Sequence, residues 1–194
     1  VGVHTITYTY TDGNGCSASA SDDVEVYALP TVTFTALADL CIDAGVQMNL
    51  AGGMPAQGTA MGDLGTYAGP GVTDNGDGTY DFAPMTAGVG VHTITYTYTD
   101  GNGCVNSASD DVEVFALPVV SFTALAALSL HAGVPAYLAG GMPAPGTAMG
   151  DLGTYAGPGV TDNGNFTYDF DPAIAGVGVH TITYTYTDGN GCSA

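Results

Sequence analysis

The chain has 194 residues, 45% of them hydrophobic, with 30 glycines, 10 prolines and no tryptophan. Its 19 Asp and Glu face no Lys or Arg, a formal net charge of −19 at pH 7. This excludes nucleic-acid binding through phosphate neutralisation and disfavours anionic membranes and phosphate ligands.

The apolar runs are dominated by Val, Ile, Thr and Tyr and punctuated by Gly and Pro, a mixture that favours strands joined by tight turns. In chain order, "VGVHTITYTYTDGNGC" opens the sequence and returns from Val89 and from Val177. "LPTVTFTAL" (29–37) reads as a first strand of a complete unit, and Val46–Leu50 in "AGVQMNLAGG" as a second. The run 65–84 contains a hairpin, in which Val72 and Thr73 lead into Asn75-Gly76-Asp77-Gly78, and Tyr80 and Phe82 return. The clearest strand is 91–99, with His92, Ile94, Tyr96 and Tyr98 on one face and Thr93, Thr95, Thr97 and Thr99 on the other. After the turn at 100–103, residues 107–117 close the unit through Val112 and Val114. "TALADLCIDAG" (35–45) has room for one helical turn at most. No stretch approaches the ~20 apolar residues of a membrane helix, and no leader is visible, so targeting signals are expected outside this segment.

Shifting the sequence so that Val1 falls on Val89 aligns 1–106 with 89–194 without gaps. Identity is roughly four-fifths, the signature of a tandem array. A period of 88 is close to the size of a small β-sandwich, so each repeat reads as a domain. Residues 177–194 match 1–18 at every position, whereas 89–106 ends in Val105-Asn106 where the others have Ser-Ala. Alternation of two domain types explains this, and on that reading the chain is a window cut from a longer array; chance agreement at two positions is the alternative. The expected layout is 1–28, last strands of a preceding repeat; 29–116, a complete repeat; 117–194, a repeat lacking its last strand. "ALP" at 28–30 and 116–118 marks stiff junctions.

"LPTVTFTALADLC", "TYAGPGVTDNGDGTYDF" and "AGVGVHTITYTYTDGNGC" resemble the immunoglobulin-like (PKD-like) repeats of giant cell-surface and secreted proteins of marine Bacteroidota and related bacteria. The resemblance covers the whole chain. It implies an all-β array of tandem immunoglobulin-like antiparallel β-sandwiches, extracellular, serving as stalk, adhesin or fibre, with no catalytic residues. Such repeats usually hold one cysteine in the first loop and one after the long strand. That places a Cys41–Cys104 disulfide in the first repeat, against the plainer reading of two small buried hydrophobes. The second repeat has Ser129 where Cys41 stands, which leaves Cys192 and likewise Cys16 unpaired; such thiols read as buried and inert, with capping or use between chains as the alternatives.

The remaining candidates are weaker. Asp12-Gly13-Asn14-Gly15, its copies at 100 and 188, and Asp74–Gly78 superficially resemble calcium loops, but lack a late bidentate carboxylate and read as turns. Asp22, Asp23 and Glu25, with their copies Asp110, Asp111 and Glu113, lie on the closing strand within reach of a neighbouring domain's loops holding Asp39 or Asp63, where an interdomain site could form. They are candidate Ca²⁺ ligands, the one cofactor considered; a charged strand edge that resists aggregation is the simpler reading. His4, His92 and His180 recur once per repeat and read as packed side chains, while His131 replaces Asp43 in a loop. No GxSxG elbow or Ser/Cys–His–acid constellation appears, and the Gly-rich 51–65 lacks a Lys, so no enzyme is expected. Met54, Met61, Met142 and Met149 suit either a sticky contact with a neighbour or packing over their own sandwich. Asn165-Phe166-Thr167 is a glycosylation sequon at a hairpin tip.

The expected function is mechanical: a structural repeat segment of a long extracellular surface protein. Its partners are neighbouring repeats and other copies in a fibre, with a ligand at a distal end. Two alternatives are a self-assembling filament subunit completed by neighbouring chains and a carbohydrate-binding module of a secreted enzyme. The last would use exposed tyrosines such as Tyr67 and Tyr155, although near-identical copies argue against it.

Overall fold

The computed structural model describes all residues except 60, 124, 131–134, 145, 147 and 148. Among the described residues, the chain is all-β apart from two single helical turns. It divides into two compact units, one of 1–38, 46–87 and 91–112, the other of 39–45, 88–90 and 113–194.

The chain begins with a long hairpin of β1 (Gly2–Thr11) and β2 (Ser17–Val26), paired antiparallel from Gly2↔Val26 to Thr11↔Ser17. Next come β3 (Leu40–Cys41), β4 (Leu64–Ala68) and the short hairpin β5 (Val72–Asp74) and β6 (Tyr80–Phe82). The turn α1 (Pro84–Ala87) leads to β7 (Gly90–Thr99) and β8 (Val105–Phe115). β4 pairs antiparallel with β7, setting Tyr67 opposite Tyr96 and Gly65 opposite Tyr98, and β8 borders β7 on its other side.

The next stretch repeats the plan in shorter pieces: β9 (Ser121–Phe122), β10 (Ala136–Tyr137), β11 (Gly141–Met142), β12 (Leu152–Ala156), β13 (Val160–Asp162) and β14 (Tyr168–Phe170). The turn α2 (Pro172–Ala175) and β15 (Thr183–Thr187) follow. β12 pairs with β15, setting Tyr155 opposite Tyr184, the same match 88 positions on.

The alternation read in 91–99 holds. Ile94, Tyr96 and Tyr98 are 0, 1 and 4% exposed, while the intervening threonines line the other face. The hairpin at 72–82 also forms; Asp74 accepts the Gly76 amide at 2.8 Å, and Gly76 and Gly78 take φ of 78° and 88°.

Two local readings are corrected. Segment 29–37 makes one isolated bridge, Thr33 to Met54, instead of a strand. The Thr35 amide still reaches the Gly52 carbonyl at 3.3 Å, but Gly52 turns to φ 101°, leaves the extended conformation and ends the ladder there. Residues 46–50 also contribute a single bridge, Gln47 to Phe82, because Asn49 turns to φ 59° and ends the extended run. Segment 35–45, given room for one helical turn at most, forms none, and the helical turns described lie at 84–87 and 172–175. Each opens on a proline, whose missing amide costs nothing at a first helical position. Asp171 caps the second by accepting the Ala173 amide at 2.8 Å.

Candidate functional site

Each unit is built round a tyrosine cluster. In the first, the Tyr67 ring lies 4.7 Å from Tyr96, 5.6 Å from Tyr80 and 5.7 Å from Phe34. In the second, Tyr155 lies 4.7 Å from Tyr184, 5.4 Å from Tyr168 and 5.6 Å from Phe122. The buried hydroxyls are all spoken for. Tyr96 donates to the Pro55 carbonyl at 2.7 Å, and Tyr184 donates to that of Pro143 at 2.6 Å. Tyr98 and Tyr186 donate to Asp63 and Asp151 at 2.9 and 2.8 Å. Tyr67 and Tyr155 accept the amides of Gly53 and Gly141 at 3.1 and 2.9 Å. Burial pushes the phenols of Tyr96 and Tyr184 up to about 12, neighbouring tyrosines and carboxylates adding to the shift. Tyr67 and Tyr155, expected to be exposed sugar-stacking rings, instead pack inside the ring clusters, Tyr67 half-buried and Tyr155 only 7% exposed.

The cysteine pairing differs from the expectation. Cys41 bonds Cys192, with Cα atoms 5.5 Å apart, and Cys16 and Cys104 are free thiols. The reason is strand length. β3 runs parallel to the end of β8, with Leu40 opposite Val114 and Cys41 opposite Phe115. Cys104 precedes the other end of this 11-residue strand. At about 3.3 Å per residue the two ends are roughly 35 Å apart, far beyond the ~6 Å that a disulfide spans. Cys41 is held by the Ile42 amide donating to the Phe115 carbonyl at 2.9 Å and by the Glu113 amide donating to Asp39 at 2.9 Å. Asp188 fixes Cys192, accepting the amides of Asn190 and Cys192 at 2.9 Å each. Cys192 is fully buried, while Cys16, expected buried, is exposed.

The same Asp-Gly-Asn-Gly-Cys turn recurs at Asp12 and Asp100, each accepting the amides two and four residues on at 2.8 to 2.9 Å. These aspartates serve turn geometry, as the sequence suggests. The carboxylates weighed as calcium ligands are also hydrogen-bonded. Asp23 and Asp111 accept the cross-strand hydroxyls of Thr5 and Thr93 at 2.7 Å. Asp110 accepts the Ala36 amide at 3.0 Å, Asp22 the Asp23 amide at 2.9 Å, and Glu25 the Tyr27 hydroxyl at 2.9 Å. Among the described residues, no three His, Cys, Asp or Glu side chains converge on a point that could hold a metal ion.

His180 is half-buried, its Nε2 2.9 Å from the Gly176 carbonyl oxygen; His92 is half-buried and His4 exposed. His131 lies outside the described residues. Met61 and Met149 are each 96% exposed, so they do not pack over their own units. Asn165 sits exposed at the tip of the second short hairpin, its side chain accepting the Thr167 hydroxyl at 2.5 Å.

The long hairpin β1–β2 stands apart. Its letters are nearly those of β7–β8, yet Ile6, Tyr8, Tyr10, Val24 and Val26 are 42 to 69% exposed. Their counterparts Ile94, Tyr96, Tyr98, Val112 and Val114 are 0 to 4% exposed. No helix among the described residues is long and apolar enough to cross a membrane.

No protein-family model matches the chain, and no curated protein matches it. Among solved structures, a mixed-linkage glucan utilization locus protein of Bacteroides ovatus, SGBP-B, solved with a mixed-linkage heptasaccharide, aligns over 100% of this chain at 14% identity and a TM-score of 0.31. The chain spans 45% of that protein, and a likeness this slight carries no argument about function.

Proposed function

We propose that the chain is a run of tandem immunoglobulin-like sandwiches from a long extracellular surface protein, whose work is to span distance and bear load. The observation that carries this is one sentence of sequence built repeatedly on one plan. The Tyr96 and Tyr184 cores share ring spacings, hydroxyl acceptors and register 88 positions apart. The Cys41–Cys192 bond supports an oxidising compartment. A chain without Lys or Arg fits a surface exposed to proteases of trypsin-like specificity.

Electron microscopy of source cells labelled with antibody against this chain is the test. Thin strings rising from the cell surface are expected. Label confined to the cell interior, or recovered only with a soluble secreted enzyme, overturns the reading.

A further inference from the structure

The apolar row of β1–β2 faces solvent with Ile6 64%, Tyr8 69% and Tyr10 60% exposed. The same letters are covered twice elsewhere in the chain. β7 is covered by residues including Phe34 and Tyr67, whose rings lie 6.5 and 4.7 Å from Tyr96. In the second unit, Tyr184 and Tyr186 share a core with Leu138, Tyr155, Tyr168 and Phe170. Both covers come from the sixty or so residues just upstream, the 29–88 and 117–176 stretches.

Two features identify the cover that the first hairpin lacks. Residues 1–18 equal 177–194 throughout, Ser-Ala after the cysteine included, whereas Cys104 is followed by Val105-Asn106. Asn106 donates to the Pro30 carbonyl at 2.8 Å, a bond that alanine at 18 or 194 has no atom to make. The first hairpin is therefore of the 177–194 type, whose cysteine is bonded. Secondly, Asp22 lies opposite Ile6 in the β1–β2 register, where its counterpart Asp110 accepts the Ala36 amide of the covering segment. Asp22 presents that acceptor to a main-chain donor not yet in place.

We propose that the N-terminal hairpin is a docking face for a segment of the 117–176 type joined ahead of Val1, and that Cys16 is a half-cystine for a cysteine placed as Cys41 is to Cys192. This rests on the tandem-repeat reading. A second copy does not satisfy the face. Lending 117–176 to a neighbour bares the lender's own 177–194, and Cys41 is already bonded. Two hairpins packed face to face would bury two Asp22 carboxylates with no cation to meet them, in a chain that has no Lys or Arg.

Two extended chains test this, one carrying a further copy of residues 1–176 ahead of Val1 and the other a further copy of 89–176. Both should protect the original Tyr8 and Tyr10 from oxidative labelling to the level of Tyr96. In the first, non-reducing peptide mapping should find the original Cys16 joined to the added Cys41, with Cys104 still alkylated. In the second, which adds the cover without that cysteine, Cys16 should remain alkylated. Tyr8 and Tyr10 labelled in either chain as in the parent overturn the docking face. Cys16 free in the first chain, or joined to a Cys104, overturns the staple. A parent chain that is dimeric by light scattering with Tyr8 already protected makes a second copy the occupant and overturns the proposal. None of these readouts depends on where the protein resides, so microscopy can fail while this holds, or the reverse.

Discussion

Single glycines set how closely the backbone approaches the tyrosine rings. A Cβ built on Gly53 would stand 2.5 Å from the Tyr96 ring, and one on Gly141 2.6 Å from that of Tyr184. Neither ring can retreat, because each hydroxyl is tied to a proline carbonyl. Gly53→Ala and Gly141→Ala should each destabilise by about 1–3 kcal/mol, the usual cost of overpacking, seen as a lowered Tm in thermal melts followed by circular dichroism. The same two tyrosines set an alkaline limit. With folded pKa raised to about 12 from an ordinary 10, each favours the fold fully below pH 10, and that contribution is lost as pH rises through 12. Ultraviolet titration should show a late-ionising phase above pH 10 coincident with unfolding; simple ionisation of every tyrosine near 10 with the fold intact would contradict it.

At the scale of elements, identical strands differ by what covers them. Ile94→Ala removes a fully buried side chain and should cost about 2–5 kcal/mol. Ile6→Ala, in the same letters but 64% exposed, should change stability by less than about 0.5 kcal/mol. Paired urea titrations of the two variants check this, and equal losses would show that β1–β2 is covered in solution. Strand, face and turn were all legible here from alternation and from Asp-Gly and Asn-Gly pairs. The missing ladders at 29–37 and 46–50 were not, because alternation reports which face is wet, not how far two segments stay extended side by side; Gly52 and Asn49 turn to positive φ and end them. The tyrosines offered as sugar platforms were misplaced for a similar reason: Tyr67 and Tyr155 sit in a strand whose inward face depends on its pairing with β7 and β15.

Across the whole molecule, the disulfide and the net charge act on stability beyond any single element. The Cys41–Cys192 bond closes a separation of 151 residues, worth about 5 kcal/mol if the stabilisation comes from chain entropy. Cys41→Ser should lower the Tm of the second unit markedly and leave that of the first nearly unchanged, as two resolved calorimetric transitions would report. With a net charge of −19 and no cationic side chain but His, self-repulsion is screened only by solvent ions. Raising NaCl should increase Tm. Calcium at matched ionic strength should add little more, since the clustered carboxylates already accept hydrogen bonds within the chain. A large calcium-specific rise, reversed by chelation, would restore a metal role for them.

The sequence by itself determined the period, the all-β class, the inward face of the long strands and the turn chemistry of the acidic loops, because each is written in spacing between near neighbours. Only the tertiary structure decided which cysteine meets Cys41 and which copy of the long hairpin is buried. Both depend on contacts between residues remote along the chain. Cys41 lies beside the far end of an 11-residue strand from Cys104, and no local pattern measures that length. The sixteen letters that open the chain likewise read the same at all three sites, and only the segment packed against them makes a core of Ile94 and leaves Ile6 in water.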